Sequence, residues 1–286
     1  TIQPAYFLRD YMESLSDEEC DRFARTYLGY VGAVTGAART LMVPVLLPNS
    51  TYLSRKANNN RGNGIFPAYL GQNRLEIQFD FAAADDMTTS GADTPASISG
   101  NIKMMVHQVE SDQASIQKYS DVRGQYSVIT RRFTEITSGW QTAAAGVKQT
   151  LSQVQPLGTV TEIFVVARPQ TEADADKEIH DSIPCTHLSI TADSITQKSL
   201  NSSKKVEIEL WSNGFVGNAR VANASRLVFC AHGADSHKYS GGYNMQLASQ
   251  ISVDVQFAAA VHYKVFAVQL QRNVINSLGL LQATLD

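Results

Sequence analysis

The stretch Arg226–Asp286, RLVFCAHGADSHKYSGGYNMQLASQISVDVQFAAAVHYKVFAVQLQRNVINSLGLLQATLD, decides how the chain is read. An apolar strand, Leu227–Cys230, leads into a polar connection holding Ser240-Gly241-Gly242-Tyr243-Asn244-Met245. Ile251, Val253, Val255 and Phe257 then alternate with Ser252, Asp254 and Gln256, the period of two expected of a half-buried strand. A second β-rich run, Tyr263–Leu270, follows, and the chain ends in a short apolar segment, Val274–Leu285.

Upstream the same signals recur. Thr40–Leu47, the alternating Leu75, Ile77, Phe79 and Phe81, then Ile102, Met104 and Val106, and Tyr126–Phe133 all read as strands. Val160–Ala167 is nearly continuous in apolar residues, as in a strand covered on both faces. His187–Ile195 is another strand, and so is the run in which Val206, Ile208 and Leu210 alternate with Glu207 and Glu209. Helices are few. Pro4–Met12 and Ser16–Leu28 are predicted, the second opened by a Ser16/Glu19 capping box. Its apolar residues Cys20, Phe23, Ala24, Tyr27 and Leu28 share one face. Ser111–Tyr119 is a short candidate helix. Short strands joined by loops rich in Asn, Gly, Ser and Thr point to an all-β sandwich rather than a βαβ sheet.

Composition narrows the function classes. The 286 residues suffice for one large or two ordinary domains. Charged residues make up 18% and the formal net charge is −3, with no basic run denser than Arg131-Arg132 or Lys204-Lys205. A protein that grips nucleic acid by neutralising phosphates wants a basic face, so direct genome binding is not expected. Cys20, Cys185 and Cys230 are odd in number and far apart, which suits buried free thiols rather than a disulfide framework or a zinc site. No apolar run approaches the ~18 residues of a membrane-spanning helix. Thr1 in place of Met marks an amino terminus that was processed, cut or not recorded.

The order of these pieces resembles the double jelly-roll major capsid proteins of large icosahedral DNA viruses. Leu227–Ala231, Ser240-Gly241…Asn244, Val265–Asn273 and Gly279-Leu280-Leu281 follow the sequence of elements that closes those proteins. In the first half, Met42-Val43-Pro44-Val45-Leu46-Leu47, Phe66-Pro67-Ala68-Tyr69-Leu70 and Leu75–Phe81 occupy the places of the strands after their helical excursion. Val154-Gln155-Pro156-Leu157-Gly158 with Glu162–Val166 resembles the strand that closes their first jelly roll. The tryptophans of those motifs are replaced here, which marks distant kinship. The opening strands of the first jelly roll have no counterpart before the helix at 4–28, so a missing piece, or one contributed by another chain, is expected.

The resemblance implies an all-β chain of two jelly-roll sandwiches side by side, with short helices in loops. The corresponding division is a first jelly roll over 1–169, an acidic and polar linker over 170–184, and a second jelly roll over 185–286. It also implies a structural coat subunit that forms homotrimers. These pseudo-hexagonal capsomers would tile an icosahedral shell against neighbouring capsomers and minor capsid proteins, with any internal membrane reached through other proteins. The location implied is the virion, assembled inside the host cell.

The residues that could carry chemistry are sparse. His232, Asp235 and His237 lie within six residues and are the candidate metal ligands, although irregular loop spacing does not make ligands converge and solvated loop residues compete with that reading. His107, His180, His187 and His262 are isolated, unlike the clustered ligands of a cupin. No G-x-S-x-G elbow marks a nucleophile, and Asp85-Asp86 reads as a solvated loop tip. No catalytic residue and no cofactor are therefore expected. Asn49-Ser50-Thr51, Asn201-Ser202-Ser203 and Asn223-Ala224-Ser225 match the glycosylation acceptor pattern. The rival reading is a carbohydrate-binding jelly-roll module, a lectin or viral attachment protein, that would set Trp140, Trp211 or Tyr243 on a concave face; otherwise Trp140 and Trp211 are expected to anchor cores.

Overall fold

The computed structural model describes residues 12–13, 15–27, 112–115, 127–152, 154, 158–170, 183–212, 224–231, 240–275 and 281–285. The strands expected over Thr40–Leu47, Leu75–Phe81 and 102–106, and the linker residues 171–182, lie outside the described residues. So do most of the helix expected over Pro4–Met12 and all of His232, Asp235 and His237.

Helix α1, Asp17–Tyr27, starts where its capping box places it. The Ser16 and Glu19 side chains close the box reciprocally: Glu19 Oε2 accepts from the Ser16 amide at 3.1 Å, and Ser16 Oγ from the Glu19 amide at 3.4 Å. Cys20 and Phe23 are its buried residues, three apart on one face. Residues 113–115 are helical too, with Asp112 Oδ1 accepting from the Ser115 amide at 2.7 Å.

The remaining described elements are almost all β. In chain order they are β1 (Ser127–Glu135), β2 (Gln141–Ala143), β3 (Gln149–Leu151), β4 (Thr159–Pro169), β5 (Cys185–Ala192) and β6 (Ile195–Leu200). After helix α2 (Ser203–Ser212) come β7 (Ser225–Val228), β8 (Cys230–Ala231), β9 (Ser240–Gly241) and β10 (Tyr243–Asn244). A 3₁₀ turn at Met245–Leu247 then precedes β11 (Ile251–Phe257), β12 (Val261–Ile275) and β13 (Leu281–Leu285).

Two antiparallel sheets face each other. The larger has seven strands: β1, β12, β4 and β10 in a row, with β2 and β13 also on β12 and β7 on β4. The smaller runs β3-β11-β5-β6. Between them one buried cluster takes Ile163, Val165, Ala167, Val261, Tyr263 and Val265 from the larger sheet and Leu188, Ile190, Ile251, Val253, Val255 and Phe257 from the smaller. The alternation in β11 and β12 thus resolves into one face per sheet turned to a common core, at about 25 cal/mol per Å² of apolar area removed from water. A bulge at Thr161 breaks the alternation in β4, because Val268 pairs with Glu162 while Gln269 pairs with Val160. Val160 and Ile163 can then both enter the core, and Thr161 Oγ1 donates to the Val268 carbonyl at 3.1 Å.

Across the segment 170–184, β4 pairs with β12 from Pro169↔Val261 to Val160↔Gln269. Strands on both sides of that segment share one sheet because a strand's partners are chosen by register and burial, not by nearness in sequence. Residues 203–212 are a helix rather than a strand: Ser202 caps it through Oγ, which accepts from the Lys205 amide at 3.3 Å, and Val206 and Leu210, four apart, enter the core while Ile208 faces out. The terminal apolar segment is not one piece: its start belongs to β12, and β13 folds back on it from Ile275↔Leu281 to Gln271↔Leu285.

Two tight turns position the end of the sandwich. Asp193 and Ser194 join β5 to β6 with φ of 47° and 67°, and Asp193 Oδ1 accepts from the Ser249 and Gln250 amides, each at 2.9 Å. That carboxylate ties the hairpin to the start of β11. Gly242, at φ 132°, lies where a Cβ would come within 2.6 Å of the Thr159 methyl, so a glycine at this position is a steric requirement of β10 meeting β4.

Candidate interaction surfaces

With the inward faces committed to the core, the outer faces carry what could meet a ligand or partner. The outer face of the larger sheet is apolar: Phe133, Phe164, Val166, Ala224, Phe266 and Val268 form a second buried cluster, with Trp140 packed against it. Phe164 meets Phe133 edge-on at 6.0 Å and Phe266 at 5.9 Å. Arg226, opposite Phe164 in the β4–β7 pairing, lies over that ring at 4.3 Å. Its guanidinium donates to Glu162 Oε2 at 2.9 Å and to Glu13 Oε2 at 2.7 Å, and all three side chains are fully buried. Glu13 also accepts from the Ala224 amide at 3.2 Å, so a residue 211 positions away is fastened to this face.

The outer face of the smaller sheet is polar. Asp254 on β11 sits opposite Ser189 on β5 and Thr150 on β3. Its carboxylate accepts from Lys148 Nζ at 2.6 Å, Thr150 Oγ1 at 2.7 Å and Ser189 Oγ at 3.3 Å. Burial pushes the Asp254 carboxyl up, but the hydrogen bonds from Lys148 and Thr150, the Lys148 charge and the Ser189 bond outweigh it and leave it below the ordinary carboxylate value. His187 Nε2 lies 3.0 Å from Ser189 Oγ. Burial holds this imidazole below its usual value, helped by Lys148 and opposed by Asp254. A Ser, a His and an Asp are thus connected, but Ser189 is the middle member and is buried. A hydrolytic triad needs the histidine between the other two and the hydroxyl open to substrate, so this network orders side chains across a sheet and does not activate a nucleophile.

Among the described residues no group of three or more His, Cys, Asp or Glu is arranged to hold a metal ion. His262 is a neighbour of Thr142 across β2–β12, with Nδ1 3.3 Å from Oγ1. Cys185 is buried and its thiol pushed up to about 12 by that burial, against a hydrogen bond from Ser225, so it stays protonated and inert. The aromatic residues considered for a carbohydrate face are not brought together: Trp140 lies under Arg168 and Lys264, Tyr243 packs on Phe229, and Trp211 is 74% exposed on α2. Trp211 therefore does not anchor the core, because helical phase puts Val206 and Leu210 inward instead. Of the acceptor triplets, Asn201-Ser202-Ser203 leads into α2 with Ser202 as its cap, and Ser225 of Asn223-Ala224-Ser225 is buried, accepting from the Cys185 amide at 2.8 Å.

No protein-family model matches the chain. No curated protein matches it in sequence either. Its structure is similar to those of virus capsid proteins. The Faustovirus major capsid protein matches with a TM-score of 0.43 at 11% identity, over 56% of this chain and 36% of that one. PBCV-1 VP54, fitted into a reconstruction of the virophage Sputnik, matches at 0.42 and 6% identity, over 61% and 54%. The bacteriophage PM2 major capsid protein matches at 0.32 and 11% identity, over 50% and 45%. The aligned part is thus about half, or less, of each of those chains.

The sequence had no signal for the Glu13–Arg226–Glu162 contact, whose members are far apart along the chain. Charged residues inside two apolar strands, Arg226 in Ser225–Val228 and Glu162 in Thr159–Pro169, were the available hints.

Proposed function

We propose that the chain is a structural coat subunit of an icosahedral virus particle, with no catalytic role of its own. The observation that carries the reading is the larger sheet's burial on both faces, the condition of a wall shared between two packed layers rather than the outside of a lone sandwich. A second jelly roll packed beside the described one, as the sequence resemblance implies, would meet that condition. Apolar side chains left on the surface support contacts between copies: Leu247 is 83% exposed, Ile195 65% and Ile208 62%. In this reading three copies form a pseudo-hexagonal capsomer, capsomers meet each other and minor capsid proteins, and the location is the virion, assembled inside the host cell.

Sedimentation equilibrium of the purified full chain, with electron microscopy of its native source, tests the proposal. A stable trimer, and shells built of such units, is the expected result. A monomer at all concentrations, binding a glycan on an array, would replace the coat reading with the lectin one.

A further inference from the structure

Among the described strands β7 pairs on one side only, with β4, so the larger sheet has an edge there. In an antiparallel pair the backbone groups of successive residues point alternately toward the partner strand and away from it. The Phe229 amide donates to the Thr161 carbonyl at 2.8 Å, so the N–H and C=O of its neighbour Val228 point to the open side. Ala224, just before the strand, has the same phase. Outward groups of this kind are where a further strand attaches.

Each of them is met by a side chain from elsewhere in the chain. The Val228 amide donates to Glu209 Oε1, on α2, at 3.1 Å. The Val228 carbonyl accepts from Lys198 Nζ, on β6, at 2.5 Å. Lys198 and Glu209 are also paired with each other. At the other end, the Ala224 amide donates to Glu13 Oε1 at 3.2 Å. Lys198 lies opposite Ile190, whose side chain is in the core, so it projects from the inward face of β6, the last strand of the smaller sheet. An inward lysine disfavours a further strand beside β6, because that neighbour would seal the charge from water. One ion pair thus fills the edge of the larger sheet and spoils that of the smaller.

A carboxylate accepts the hydrogen bond that a neighbouring strand's carbonyl would accept, but it brings no backbone along which the sheet can continue. We propose that Lys198 and Glu209, with Glu13 at the far end, are an edge guard: they occupy the outward backbone groups of β7 and keep an extended segment of a second copy from adding to this flank. Helix α2 holds the guard in place, since Val206 and Leu210 anchor it in the core while Glu209 reaches β7. The guard does not rest on the coat reading; it closes one flank whatever the chain assembles into.

The experiment compares full-length wild type and variants by hydrogen–deuterium exchange of the segment 225–229 and by sedimentation velocity across a concentration series. Glu209→Ala removes the cap of the Val228 amide, Glu209→Gln keeps an acceptor oxygen there, and Val206→Ala weakens the anchorage of α2 as a control for lost stability. Each is measured equally far below its own melting temperature. At low concentration the segment in Glu209→Ala is expected to exchange at least about tenfold faster than in wild type, as loss of a hydrogen bond to a charged acceptor implies. At high concentration this variant is expected to form species larger than the wild-type assembly, in which the same segment regains protection. Glu209→Gln should stay close to wild type, and Val206→Ala should form no such species. Should Glu209→Ala fail to fold, Lys198→Met, which bares the Val228 carbonyl and removes the inward charge, is expected to give the same larger species. Larger species from neither variant, or equally from Val206→Ala, would overturn the guard. So would protection of the segment that rises with concentration in wild type, because the edge would then be an interface. The coat reading fails separately, on whether the wild-type chain forms a trimer.

Discussion

The outer face of the larger sheet presents Phe133, Phe164, Val166, Phe266 and Val268, whereas that of the smaller presents Thr150, His187, Ser189 and Asp254. Both belong to strands with apolar inner faces, so the core does not distinguish them. On the apolar face Arg226 is held with its partners, Glu13 and Glu162, buried beside it. On the polar face the groups satisfy one another sideways, and Lys148 is half exposed while holding Asp254. The first face is made to be covered; the second can remain wet.

That contrast breaks most readily at Arg226. Arg226→Ala should cost about 3–5 kcal/mol in urea unfolding, since it leaves two carboxylates buried without their cation. A loss below about 1 kcal/mol would mean that water reaches this face. Phe164→Ala is expected to cost a similar 3–5 kcal/mol, by cavity formation and loss of the ring beneath Arg226.

Asp254→Asn on the polar face should cost less, about 1–2 kcal/mol, because its lysine is half exposed and hydroxyls can re-pair with the amide. Acid sharpens this further. Asp254 and His187 are both held below their ordinary values in the folded chain, so the unfolded chain binds protons first. Stability should therefore fall as pH drops below about 6.5, where unfolded histidine protonates, and fall again below about 4, where unfolded aspartate does. His187→Gln should remove His187's share of the first decline and leave the second; an unchanged profile would show that His187 is not the group responsible. Smallest of all, Gln197→Lys and Ser199→Lys on the exposed edge strand β6 should shift stability by no more than about 0.5 kcal/mol. A larger loss there would reveal that the polar face is covered after all.

Much of the local structure could be read from residue patterns. The capping box at Ser16 and Glu19, the alternation of Ile251–Phe257 and the unbroken apolar run of β4 each depend on neighbours a few positions apart, and each folds as its pattern requires. The stretch Val206-Glu207-Ile208-Glu209-Leu210 satisfies both periods at once, because residues four apart share a face in a helix and in a strand. Packing of Val206 and Leu210 into the core, with the Ser202 cap, chose the helix. The outer faces were less legible still, since Trp140 and Arg168, 28 positions apart, are brought together by the β2–β12–β4 pairing.

By itself, then, the sequence determined where α1 starts, that β4 and β11 are strands and which side chains of β11 point inward, because those properties follow from capping and short-range periodicity. Tertiary structure alone decided that β4 and β12 share a sheet, that Glu13 reaches Arg226, and that one outer face is dry and the other polar. Those outcomes depend on register and burial between residues up to 213 positions apart, where no local pattern carries the information.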